Sequence, residues 1–210
     1  MKAHYFVSGI GTDVGKTVVS SILCQWFKYD YWKPVQSGDL HRTDSIKVYE
    51  IVRFEGFKTL EERHRFKAPL SPHIAAKLDD VTIQVFDFEL PKNDKGILIE
   101  GAGGLMVPLN EQGDLYIDVI QQLQIPVILI SRHYLGSINH TILSVEALKN
   151  RNIPIAGIIF NGEELPETES IILKLTGLKK LFTVPQFEQL NADEIEKFVM
   201  SLPDPKTILS

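Results

Sequence analysis

One cysteine, Cys24, stands among 210 residues, so no internal disulfide is available and the fold must rest on a packed core. Long apolar runs are also missing. The longest, 153–160, falls far short of the roughly twenty residues that span a bilayer. Charge of either sign is never concentrated: 27 acidic and 22 basic residues are mixed along the chain for a net charge of −5. That mixture leaves no basic stripe for a nucleic acid and no polybasic patch for a membrane surface. The opening residues enter an apolar strand without the basic region, apolar run and small-residue site of a secretory leader, so a cytoplasmic enzyme or switch is expected. Internal repeats and low-complexity linkers are absent too. What remains, 44% apolar and 23% charged residues, is the composition of a soluble globule whose length favours one domain, 1–210.

Short continuous apolar runs at 4–8, 31–35, 96–100, 127–131, 155–160 and 181–184 read as strands covered on both faces. Helices are expected at 17–28, 44–53, 115–124, 138–150, 167–176 and 192–201, with Cys24 in the core side of the first. In the fourth, Ile138, Ile142, Val145 and Leu148 form one apolar stripe. The alternation predicts an α/β fold: a single mostly parallel sheet flanked by helices, with ligands at the carboxyl ends of its strands. The stretch 54–88 has the weakest pattern. Its cluster Glu61-Glu62-Arg63-His64-Arg65 reads as a solvated face, and Ser71-Pro72 as a helix start with Ser71 as cap.

The most informative run follows the first strand: Gly9-Ile10-Gly11-Thr12-Asp13-Val14-Gly15-Lys16-Thr17, then a helix. A strand that breaks into a glycine-rich turn and re-forms as a helix aims backbone N–H groups and a positive helix end at one point, which suits a phosphate. Gly9, Gly11 and Gly15 allow close backbone approach and positive φ, Lys16 supplies a mobile cation, and Thr17 offers a hydroxyl to Mg²⁺. This is a P-loop, with one residue more between glycines than the usual G-x-x-x-x-G-K-[ST].

Other groups gather at predicted strand ends. Lys33, held extended by Pro34, is either an ordinary edge lysine or a second cation for the same phosphate. Asp44 is either a helix cap or a metal ligand. Glu100, after four apolar residues and before Gly101-Ala102-Gly103-Gly104, stands where P-loop enzymes place an acidic residue beside the metal. Thr17, Asp44 and Glu100 together make a plausible magnesium set. Asn161-Gly162 is either a plain turn or an adenine reader, and the N–H groups at Leu135-Gly136-Ser137-Ile138-Asn139-His140 suit a carboxylate. His73 and His140 read as surface or capping residues, since no histidine pair has metal-ligand spacing.

Taken in order, Gly9-x5-Gly15-Lys16-Thr17, Lys33-Pro34-Val35-x-Ser37-Gly38, Ser71-Pro72-His73-x-Ala75-Ala76, Glu100-Gly101-Ala102-Gly103-Gly104, Leu135-Gly136-x-Ile138-Asn139-His140 and Asn161 resemble the dethiobiotin synthetase family. The likeness runs from the P-loop to about Pro185, and the longer glycine spacing is similar to that family's own loop. The resemblance implies an ATP-dependent ligase of P-loop NTPase-like fold that closes the ring of 7,8-diaminononanoate with CO₂ on a homodimer requiring Mg²⁺. It implies that Thr12, Asp13, Val14, Gly15, Lys16 and Thr17 cradle the phosphates, with Val18, Asp44, Glu100, Gly101, Ala102 and Gly103 completing the ATP site. Lys33 and Lys16 would be catalytic, and Thr17, Asp44 and Glu100 would hold the metal. Asn161, Pro185, Gln186 and Phe187 would receive adenine. Thr12 and Ser37 would touch the diamine, while Gly136, Ile138 and Asn139 of the partner subunit would take its carboxylate, with no nucleic-acid or membrane partner. Partitioning ATPases and glutamine-dependent amide synthases share parts of this pattern. The former usually carry an extra early lysine where this chain has Ser8 and Gly9, the latter a nucleophilic cysteine this chain does not offer.

Overall fold

In the computed structural model, which describes residues 3–208, β1 (Tyr5–Gly9) passes through a tight loop into α1 (Lys16–Phe27). The outermost two residues at each end of the expected 1–210 domain lie outside the described residues. Successive residues of β1 face opposite ways: Phe6 joins one half of the core and Val7 the other, both fully buried. A strand covered on both faces must be apolar at every position, which is why these strands read as runs rather than alternations.

The chain continues with β2 (Asp30–Trp32), β3 (Val35–Ser37), α2 (Asp44–Ile51), β4 (Thr59–Leu60), β5 (His64–Phe66) and α3 (Pro72–Leu78). After a 3₁₀ turn at Val85–Asp87 come β6 (Ile97–Gly104), α4 (Tyr116–Leu123), β7 (Val127–Arg132), α5 (Ser137–Asn150) and β8 (Ile155–Asn161). The last elements are α6 (Pro166–Thr176), β9 (Lys180–Val184), α7 (Ala192–Ser201) and α8 (Pro205–Ile208). Seven strands form one sheet in the order β4-β2-β6-β1-β7-β8-β9, with every neighbouring pair parallel. Helices α1, α2 and α7 contribute to the half of the core that holds Val7, α3 and α4 to the half that holds Phe6, and α5 to both, through Val145 and Leu148 respectively. The P-loop therefore emerges at the carboxyl end of the central strand, between β6 and β7, where open α/β sheets bind ligands.

Four expectations are corrected. The strand expected over 31–35 is two strands: β2 in the main sheet, and β3 paired only with β5 in a small second sheet. Pro34 has no N–H to continue the ladder, so the chain leaves the sheet there and turns Lys33 inward. The stripe expected on α5 is rotated, since its buried residues are Ser137, Thr141, Val145 and Leu148 while Ile138 is exposed. The 61–65 cluster is only partly solvated: His64 starts β5 with its Nε2 3.4 Å from Asp87, and Glu62 accepts the Ser45 hydroxyl at 2.6 Å. Ser71-Pro72 does open a helix, but the Ser71 hydroxyl meets His73 Nδ1 at 3.0 Å instead of capping it.

Candidate active site

Two residues in the P-loop carry the left-handed backbone, Asp13 (φ 56°) and Gly15 (φ 88°); Gly9 and Gly11 do not. Gly9 is required for packing instead, because a Cβ there would lie 2.3 Å from Val14. At Gly15 the requirement is double: a Cβ would also lie 2.0 Å from Asn161 Nδ2, which donates to the Val14 carbonyl at 2.8 Å. On the other flank Arg132 Nη1 donates to the Asp13 carbonyl at 3.0 Å. Two consecutive loop carbonyls are thus tied to side chains from the ends of β7 and β8, away from the cradle of N–H groups.

Beside the loop lies a cavity of about 890 Å³, lined by Thr12, Lys16, Thr17, Lys33, Asp44 and Glu100 among others. Glu100 is fully buried on β6 and accepts three hydrogen bonds: from Thr17 Oγ1 at 3.1 Å and Lys33 Nζ at 2.9 Å on Oε1, and from Tyr31 Oη at 3.0 Å on Oε2. Lys33 Nζ also lies 2.9 Å from Asp44 Oδ2 and donates to the Gly101 carbonyl at 3.3 Å. Burial alone would lower the pKa of Lys33, but Glu100 and Asp44 outweigh it and hold it above the usual lysine value. Asp44 is itself held below the usual carboxylate value: burial opposes ionisation, and the bonded Lys33 overcomes it. Lys16 has the opposite fate. Burial, aided by the Lys33 ammonium, pushes its pKa down to about 8, while its Nζ donates to the Gly11 carbonyl at 2.9 Å.

Asp44 is not the cap of α2. Thr43 caps α2, its hydroxyl accepting from Ile46 N at 3.3 Å, so the Asp44 carboxylate is left for Lys33 and for Lys47 at 3.1 Å. One hydroxyl and two carboxylates converge beside a phosphate-shaped loop, a donor set that suits Mg²⁺, which takes few protein ligands and completes its shell with water and phosphate. Among the described residues, no group of three or more histidine, cysteine or carboxylate side chains is placed to hold a metal ion.

A family model described as an AAA domain matches residues 3–194. An ATP-dependent dethiobiotin synthetase of Christiangramia forsetii is 47% identical over 202 residues, covering 94% of this chain and 97% of its own. Those of Afipia carboxidovorans and Rhodopseudomonas palustris are 43% and 40% identical, over 93% and 100% of this chain and 93% and 98% of theirs. The chain belongs to the dethiobiotin synthetase family. Its members are ATP-dependent ligases. Solved structures resemble it in fold alone: a plasmid partition protein of Borrelia burgdorferi bound to AMPPNP (TM-score 0.55, 13% identity, covering 95% of this chain and 97% of its own). A ParA family ATPase of Chlorobium tepidum (TM-score 0.52, 13% identity, 95% and 99% covered) is similar to the same extent.

Of the residues that the dethiobiotin synthetase resemblance singled out, the structure brings Thr12, Asp13, Gly15, Lys16, Thr17, Val18, Lys33, Ser37, Asp44, Glu100, Ala102 and Gly103 to the one cavity. Val14 turns its side chain into the core, leaving its backbone for the loop, and Gly101 packs where a Cβ would lie 3.0 Å from the Phe6 ring. The Ser37 hydroxyl, buried at the cavity wall, has no hydrogen-bond partner among the described residues. Pro185, Gln186 and Phe187 follow β9 and line a second cavity of about 500 Å³ with Phe198. Gly136, Ile138 and Asn139 line neither; they lie at the start of α5, with Ile138 and Asn139 exposed. Sequence reading missed Tyr31, Lys47 and Arg132. Lys47 meets Asp44 three residues earlier on the same helix, a spacing the sequence does offer, whereas Tyr31 and Arg132 find their partners only through the parallel register and the loop geometry.

Proposed function

We propose that this chain performs the reaction for which its family is named at the 890 Å³ cavity, using the residues gathered there. The observation that carries the reading is the pairing of two buried lysines, Lys16 and Lys33, with Thr17, Asp44 and Glu100 at the mouth of a P-loop. One amine of 7,8-diaminononanoate, deprotonated, captures CO₂ as a carbamate. A carbamate oxygen attacks the γ-phosphorus of ATP and ADP leaves. The second amine then attacks the activated carbon, closes the five-membered ring and expels phosphate, and both amines being on one chain favours closure.

The loop N–H groups and Lys16 hold the phosphates, and Lys33, kept as an ammonium, stabilises negative charge as it shifts between carbamate and phosphate. A raised pKa makes Lys33 an electrostatic group and a poor proton acceptor. Thr17, Asp44 and Glu100 would hold magnesium, which would neutralise phosphate charge. The unpaired Ser37 hydroxyl supports a contact with the diamine, with Thr12 beside it. Asn161 at Gly15 and the Pro185, Gln186 and Phe187 cavity support adenine binding on the outer side of the loop.

A homodimer belongs to this reading. Met106 and Leu143, both more than half exposed, share an apolar groove beside α5, and Leu135 and Ile138 are exposed at its start. Pairing of two copies there would bring Gly136, Ile138 and Asn139 of one to the substrate of the other, where free N–H groups at the helix start suit a carboxylate. A single catalytic domain acting in the cytoplasm, where ATP is supplied and the lone Cys24 stays a thiol, completes the proposal. The test is oxygen tracing. With ¹⁸O-bicarbonate, one labelled oxygen is expected in the released phosphate and one in the ring carbonyl; unlabelled phosphate would exclude the carbamoyl phosphate route.

A further inference from the structure

Glu100 has two oxygens and they are used differently. Oε1 faces the cavity, where Thr17 and Lys33 reach it, whereas Oε2 is met by Tyr31 Oη at 3.0 Å. Chain geometry accounts for the arrangement. The parallel register sets Tyr31 opposite Leu98, and Glu100, two residues further along β6, shares that face of the sheet. Tyr31 and Glu100 are each fully buried, so water does not compete for the bond, and losing it would leave a buried carboxylate oxygen without its donor.

We propose that Tyr31 is a metal-selecting positioning residue: its bond holds Oε2 on the side away from Thr17 and Lys33, so that a metal taking the place of the Lys33 contact would meet Oε1 and be offered one oxygen rather than both. This rests on the reading of Glu100 as a magnesium ligand. A single carboxylate oxygen fits the small, octahedral Mg²⁺, which keeps its waters, while Ca²⁺ has a larger shell and readily takes both oxygens of one carboxylate. A tyrosine locked on the second oxygen therefore discriminates against Ca²⁺ without touching any metal.

Mn²⁺ bound to the protein with a non-hydrolysable ATP analogue, followed by its electron paramagnetic resonance signal and displaced by Mg²⁺ or Ca²⁺, tests the assignment. Tyr31→Phe keeps the ring and removes the donor. The Mg²⁺ over Ca²⁺ preference is expected to narrow by about tenfold in this variant, with the analogue's own contribution cancelling against wild type. A ratio within about twofold of wild type, or both ions weakened by one factor, would overturn the selectivity role. Wild-type protein that favours Ca²⁺ would overturn it without any variant. Glu100→Gln separates the two claims: unchanged Mn²⁺ binding there means that Glu100 is no ligand, whereas weakened binding beside an unaltered Tyr31→Phe ratio removes Tyr31 alone.

Discussion

Lys33 is the residue on which most of the site depends, because its ammonium lies 2.9 Å from both Asp44 and Glu100. Removing it does two separable things. Lys33→Ala should lower turnover by about a hundredfold or more while ATP affinity moves by about threefold or less, since the loop still holds the nucleotide. Wild-type turnover in a purified variant would take Lys33 out of the mechanism. The same change leaves Glu100 buried with only two hydroxyl donors, which should cost about 3 kcal/mol and lower Tm by roughly 10 °C in a thermal scan. Lys16 makes a different prediction, in pH. Its pKa is lowered to about 8 by burial and by Lys33, so in the free enzyme the ammonium that meets phosphate is present below that pH and lost above it. The kcat/KM for ATP should accordingly fall as pH rises through about 8, and a flat profile across that range would contradict the assignment of Lys16.

Among the elements, the P-loop shows how tightly neighbouring strand ends define it. Gly15→Ala meets both a left-handed φ of 88° and an Asn161 amide 2.0 Å from the new Cβ, so the loop must shift. ATP affinity measured by titration should drop about tenfold or more, and an unchanged affinity would mean that the loop geometry is not what binds phosphate. Among the described residues, the five strands of five or more residues and the six helices of eight or more were legible because each is an apolar run or stripe with breaks at both ends. Elements of two or three residues, such as β4 and β5, carry too few side chains for any period, and their pairing is imposed by the chain around them. The break at Pro34 was readable as a restraint on Lys33, yet the switch of β3 to a second sheet was not, because sheet membership is a tertiary fact. On α5 the stripe was misplaced since two of the four buried positions are Ser137 and Thr141, polar residues whose hydroxyls are satisfied or packed locally. Asp44 and Glu100 were found by residue type at a strand or helix end, whereas Tyr31 needed the β2 to β6 register to be seen.

For the whole molecule, the sheet brings two lysines and two carboxylates to one end and leaves an apolar face on the other side of α5. That division suits an enzyme whose nucleotide site is built within one chain and whose substrate site is completed by a second. Leu143→Asp places a charge in the exposed groove with Met106 and should convert a dimer to a monomer on gel filtration. On the proposed reading its KM for the diamine should rise more than its KM for ATP, because only the former would depend on the partner's Gly136, Ile138 and Asn139. A monomeric variant with wild-type constants would place the carboxylate site within one chain.

The central claim is that ATP cleavage here is tied to ring closure. ADP release by the purified protein, with ATP, Mg²⁺ and bicarbonate, should be negligible until diaminononanoate is added, and should then match dethiobiotin one for one by mass. ATP turnover that ignores the diamine, with no product formed, would contradict it.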